Sequence, residues 1–144
     1  MAVMATPGTD RALSDRIVWI DCEMTGLSLT SDALIEVAAL VTDYELTVLG
    51  DGIDVVIRPP DEALDQMDDF VRDMHTTSGL LDVLAAGTTL ERAQEMVLDY
   101  GREGAPDARK SPLGGSTVAT DRAFLARDMP ELESHLHYRI IDVS

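Results

Sequence analysis

The chain has 144 residues, the length of one ordinary domain, and 45% of them are hydrophobic, a globular rather than a disordered composition. No apolar run approaches the ~20 residues that span a bilayer, and no basic stretch leads into an apolar one at the N-terminus, so neither a membrane segment nor a secretory signal is expected. A formal net charge of −16 disfavours a protein that grips long nucleic acid, which needs a basic footprint; it leaves either a ligand that is not nucleic acid, or one so short that few phosphates need neutralising and divalent metal supplies the positive charge.

Residues 1–14 read as a flexible tail ahead of a single domain, 15–144. Arg16-Ile17-Val18-Trp19-Ile20 is a β-branched and aromatic run, a buried strand. It leads into Asp21-Cys22-Glu23-Met24-Thr25-Gly26-Leu27, with a turn at Thr25-Gly26. Apolar runs at Ala33–Val41 and Gly52–Ile57 predict two more strands in a mostly antiparallel meander, which ends at Pro59-Pro60. Asp61–Met74 is acidic and helix-compatible. Thr88-Thr89-Leu90-Glu91 resembles a capping box, with Glu91 three residues after Thr88, and Leu90, Ala93, Val97 and Tyr100 then recur at helical spacing. A polar loop over 101–110 precedes a short strand and a Gly-rich turn at Pro112–Thr117. Helices over Thr120–Arg127 and Pro130–His135 and a strand over Tyr138–Val143 complete the order. A core strand normally has a covering helix after it, so the domain is expected to be incomplete at its C-terminus, a natural edge strand being the alternative. The lone Cys22 excludes an internal disulfide framework and fits a cytoplasmic protein.

Asp21 and Glu23 are one residue apart on a predicted strand and therefore share a face. Two carboxylates side by side at the end of an apolar strand are costly unless cations neutralise them, and hard divalent ions prefer such oxygen ligands. A solvated strand end is the plainer reading of that pair. Asp121 opens a predicted helix, where the dipole alone favours an Asp; its functional reading is a third metal ligand from another element.

At this point a family resemblance becomes specific. Val18-Trp19-Ile20-Asp21-Cys22-Glu23-Met24-Thr25-Gly26-Leu27 resembles the first motif of the oligoribonucleases of the DEDDh exonuclease superfamily, and Gly115-Ser116-Thr117-Val118-Ala119-Thr120-Asp121 is similar to the second. Leu136-His137-Tyr138-Arg139-Ile140-Ile141-Asp142-Val143-Ser144 resembles the stretch that follows, and Met74-His75 with Thr77-Ser78-Gly79-Leu80 also fits. The resemblance implies an α/β, ribonuclease H-like mixed sheet: three antiparallel strands, then strands alternating with helices, here missing the C-terminal helical part. It implies a 3′-to-5′ exoribonuclease that degrades dinucleotides to about pentamers into 5′-mononucleotides, with two Mg²⁺ or Mn²⁺ ions held by Asp21, Glu23 and Asp121 as the catalytic and metal-binding residues. By the same likeness Leu27 wedges between two bases and Phe70 stacks on one. Thr117, Arg139 and Ser144 cap the 5′ phosphate of a two-residue RNA, and Tyr138 reaches the neighbouring subunit's site in a homodimer. Core packing is the plainer reading of Leu27 and Phe70.

The sequence departs from the family pattern in two places. Ser116 stands where the family usually has Asn. The family's third motif, a histidine general base followed five positions later by a metal-binding Asp, is expected beyond Ser144; His75, His135 and His137 do not occupy its place and read as structural. A catalytically impaired fragment that only binds short nucleotides is therefore the alternative, since losing a general base costs ~10²–10⁴-fold in rate. A related DEDDh exonuclease for DNA ends is a further alternative, disfavoured by the Tyr138–Ser144 segment.

Overall fold

The computed structural model describes residues 15–144; the tail expected over 1–14 lies outside the described residues. Strand β1 (Arg16–Met24) is longer than its apolar run because the pattern of alternation continues through the acidic residues: Val18, Ile20, Cys22 and Met24 are buried, while Trp19, Asp21 and Glu23 point to the other face. Strands β2 (Leu34–Asp43) and β3 (Val48–Val56) complete the antiparallel meander, with Asp21 opposite Ala38 and Glu23 opposite Glu36. Strand β4 (Leu113–Gly115) pairs with β1 in parallel, and β5 (Ile140–Asp142) with β4, giving the order β3-β2-β1-β4-β5. This is the mixed α/β sheet expected from the sequence. Because β1, β4 and β5 run the same way, their C-terminal ends (Glu23–Met24, Gly115 and Asp142) meet at one edge of the sheet, the edge where α/β folds place ligands.

The helix expected over Asp61–Met74 is two helices, α1 (Asp61–Asp65) and α2 (Asp69–Ser78). The chain restarts because Asp68 accepts the Val71 amide at 2.8 Å as an N-cap. Helix α3 (Leu80–Val83) follows, and the short helices sit on a small cluster of Ile35, Leu80 and Leu84. Helix α4 (Leu90–Gly104) is capped by Thr89, not Thr88: the Thr89 hydroxyl accepts the Arg92 amide at 3.2 Å, whereas the Thr88 backbone is already bonded to β3 and to Arg58. Helices α5 (Val118–Asp128) and α6 (Pro130–His135) follow β4. The main core joins Ala93, Val97 and Leu98 of α4 and Phe124 and Leu125 of α5 to the Val18–Met24 face of the sheet.

Candidate active site

The geometry begins with the shortness of β4. Its pairing with β1 ends at Trp19 and Gly114, so the Cys22 amide projects past the end of the neighbouring strand. Helix α5 fills that gap. Gly115 brings the chain so close to β1 that a Cβ there would lie 2.8 Å from the Ile20 carbonyl oxygen, and Thr117 then turns it with a left-handed backbone (φ 52°). The first turn of α5 presents Asp121, which is buried and whose Oδ2 accepts the Cys22 amide at 3.0 Å. Asp121 is thus bonded to the residue that lies between Asp21 and Glu23 at the end of β1.

Their electrostatics show that they crowd one another. Burial pushes the Asp121 carboxyl up to about 6; the Cys22 amide opposes this, and the charges of Asp21 and Glu23 add to it. Burial also raises Glu23, with Asp21 adding and His75 opposing. Across the strand, Glu36 is raised to about 7 by burial first, then by its hydrogen bond to Asp54 and the charges of Asp54, Glu23 and Asp21. The Cys22 thiol is held well above its ordinary range by burial and by the three carboxylates, which makes it a core residue and not a nucleophile. Among the described residues no three acidic, histidine or cysteine side chains already enclose one point. An all-oxygen donor set whose full ionisation is resisted fits a hard divalent cation, which would draw the three carboxylates inward and relieve their repulsion.

One participant was not legible in the sequence. His75, in the last turn of α2, is 1% exposed; its Nε2 donates to the Met24 carbonyl at 2.8 Å, so Nδ1 faces Glu23 Oε2 at 4.0 Å. Of the two structural places the sequence leaves open for it, a helix end or a loop, it takes the helix end, and its place beside Glu23 depends on how α2 packs against β1. The only sequence signal was the fit of the segment around it to the family. His135 and His137 are structural as expected: His135 is buried and bonded to the Ala105 carbonyl at 2.7 Å, and His137 Nδ1 accepts the Arg139 amide at 3.0 Å.

Of the expected substrate-reading residues, Leu27 and Phe70 are 77% and 79% exposed, so neither packs in the core. They line one cleft of about 390 Å³ together with Glu23, Met24, Val71 and Met74. Thr117 and Ser144 are brought together by Asp142, whose Oδ1 accepts the Thr117 amide at 3.1 Å, the Ser144 amide at 3.0 Å and the Ser144 hydroxyl at 2.7 Å. Those bonds, the Ser144 hydroxyl foremost, hold the Asp142 carboxyl below its usual range. Tyr138 is 69% exposed and stacks on His137 with ring centroids 4.3 Å apart. Arg139 is not brought to Thr117 and Ser144: it precedes β5 and lines a separate cleft with Tyr44, Lys110 and Pro112.

Comparison with known proteins gives the family and the fold. The chain is similar to the oligoribonuclease of Streptomyces griseus, 68% identical over 132 residues that cover 92% of this chain and 66% of that protein. It is also similar to the oligoribonuclease of Cutibacterium acnes, 62% identical over 128 residues that cover 89% of this chain and 63% of that one. It therefore spans somewhat less than two thirds of the length of the curated relatives it matches. Among solved structures, E. coli exonuclease I in complex with a 5cy-dA13 oligonucleotide superposes with a TM-score of 0.65 at 17% identity, covering 90% of this chain and 28% of that one, a likeness of fold. The RNase_T exonuclease family model matches residues 18–144, and the chain belongs to that exonuclease family.

Proposed function

We infer that this chain serves a 3′-to-5′ exoribonuclease of the oligoribonuclease type, acting on RNAs of two to about five residues and releasing 5′-mononucleotides. The observation that carries this reading is the bond from the Cys22 amide to Asp121, which seats a helix-borne carboxylate beside Asp21 and Glu23. Asp21, Glu23 and Asp121 are the residues that would hold Mg²⁺ or Mn²⁺; two such ions supply an activated water and a counter-charge for the departing 3′ oxygen.

The remaining residues position the substrate. Leu27 stands between two bases, and the exposed Phe70 across the cleft offers a ring for one of them. By the family likeness, Thr117, Ser144 and the Arg139 guanidinium would receive the 5′ phosphate, the two amides and the Ser144 hydroxyl exchanging Asp142 for it. A phosphate site behind the second nucleotide would favour the dinucleotide and would let a chain of net charge −16 take an RNA ligand. The exposed Tyr138 suits contact with the site of a second copy in a homodimer. A single, buried, unpaired cysteine suits a reducing cytoplasm. No histidine of this chain is assigned the role of general base.

Isothermal titration of a 5′-phosphorylated dinucleotide with and without Mn²⁺, followed by chromatography of the products, tests this reading. Mn²⁺-dependent binding that Asp121→Asn abolishes is the expected result. Binding indifferent to both the metal and Asp121 would remove the case for an exonuclease site; metal-dependent binding without mononucleotide release would leave a nucleotide-binding module.

A further inference from the structure

The segment that presents Leu27 is closed on itself by polar bonds. The Thr25 amide donates to the Ala33 carbonyl at 2.9 Å, and the Ala33 amide to the Thr25 hydroxyl at 3.0 Å. That hydroxyl donates in turn to Asp32 Oδ1 at 3.0 Å, while the Ser28 amide donates to Asp32 Oδ2 at 2.9 Å. The loop is a compact surface unit, yet Leu27 and Leu29 are both exposed and none of residues 25–33 belongs to either hydrophobic cluster. The β1–β2 pairing, continued to Thr25 and Ala33, holds its stems and its internal bonds fix its shape, but neither sets the position of its tip over the acidic centre.

Two side chains from outside the loop fix that position. Gln66, between α1 and α2, donates to the Ser31 carbonyl. Arg127, in the last turn of α5, donates from Nη2 to the Asp32 carbonyl at 2.7 Å and from Nη1 to the Leu29 carbonyl. The guanidinium is itself held on the helix. Its Nε and Nη2 donate to the two carboxylate oxygens of Asp128 at 2.8 and 2.6 Å, and it lies 4.9 Å over the ring of the buried Phe124. This planar fork, with fixed donors on two sides, is a geometry an arginine can supply and a lysine cannot. The same helix carries Asp121 six residues earlier, a rise of about 9 Å along one rigid rod.

We propose that Arg127 is a positioning residue for substrate length: it locks the Leu27 loop to the helix that bears Asp121, so that the base-separating leucine stands at a fixed place relative to the acidic centre. The proposal rests on the reading of Leu27 given above. Arg127 touches no nucleotide; it acts through the loop carbonyls. Its loss frees the loop to shift on its two stems, which weakens binding of the second nucleotide and leaves the first unaffected.

The test measures binding of uridine 5′-monophosphate and of 5′-phosphorylated diuridylate, in Ca²⁺ to suppress turnover, to the parent chain and to Arg127→Ala, Arg127→Lys, Leu27→Ala and the Arg127→Ala/Leu27→Ala double variant. Arg122→Ala serves as the control, because Arg122 of α5 bonds Glu133 and the His137 carbonyl away from the loop. The expected result is a loss of about 10-fold for the dinucleotide in Arg127→Ala, the order of one base contact, with the mononucleotide within twofold of the parent. Arg127→Lys falls between, Arg122→Ala keeps the parent's ratio of the two affinities, and the double variant loses no more than Leu27→Ala alone. Equal losses for both ligands, no loss, or additive losses in the double variant would overturn the positioning role while leaving the function intact. Failure of the parent chain to bind either ligand would overturn the functional reading, and this proposal with it.

Discussion

At the scale of single residues, burial first and neighbouring charge second resist full ionisation of the acidic centre. Asp121 holds its proton up to about 6 in the folded chain, above the usual carboxylate range. Protonation therefore favours the folded state. The stabilisation is complete below the unfolded value and is lost as pH rises through about 6. Glu36, raised to about 7, acts with the same sign slightly higher. In the absence of metal, the melting temperature of the parent chain relative to Asp121→Asn should fall as pH rises from 4 to 7, because the neutral amide has no charge to repel. Thermal melts of the two proteins across that range decide it, and parallel curves would mean that Asp121 is not crowded. The same substitution should weaken Mn²⁺ binding by at least about 10-fold, since even neighbours of a metal ligand cost that much. Isothermal titration with MnCl₂ reads this directly. An Asp54→Asn variant, by removing the charge that helps hold the Glu36 proton, should shift the Glu36 titration down from about 7, visible in its carboxyl carbon resonance.

At the scale of elements, what could be read from the sequence was what depends on local periodicity. Strand alternation placed Asp21 and Glu23 together, and a helix start after a glycine-rich turn placed Asp121 in a first turn. Errors came where tertiary bonds decide. Thr89, not Thr88, caps α4 because Thr88 is bonded to β3. The Asp61–Met74 helix breaks because Asp68 caps a new one. The partnership of His75 with Glu23 and the grip of Arg127 on the Leu27 loop join residues more than 50 positions apart, which no periodicity reports. The loop itself carries the strictest local demand. A Cβ on Gly26 would lie 2.3 Å from Asp32 Oδ2, and that carboxylate cannot step aside without breaking its bonds to Thr25 and Ser28. Gly26→Ala should therefore cost about 1–3 kcal/mol, the usual range for inserting a methyl group into a filled space. Urea titration measures that cost, and an undiminished midpoint would show that the loop rearranges freely.

At the scale of the whole molecule, a net charge of −16 disfavours a long contact with a phosphate-bearing ligand and suits the short one proposed above. On the proposed reading, a dinucleotide with a 5′ phosphate would bring two phosphates, one toward Asp21, Glu23 and Asp121 and one toward the Thr117–Ser144 pair. Every further nucleotide adds a phosphate to a complex whose protein carries a net charge of −16, with interactions that reach about 10 Å at 0.1 M salt. The field that a basic protein uses to gather nucleic acid here opposes it. Two consequences can be measured together by titrating 5′-phosphorylated RNAs of 2, 5 and 10 residues at 50 and 200 mM KCl in the presence of divalent metal. The salt dependence for the dinucleotide should be shallow, a slope of about −1.4 in log K against log salt for two single-stranded phosphates. Affinity should not rise with length, and raising the salt should reduce the penalty on the longer RNAs by screening the repulsion. An affinity that climbs with each added nucleotide, with a slope that steepens in step, would instead require a basic track along the surface, and selection for short RNA would then have to come from the loop and the phosphate site alone.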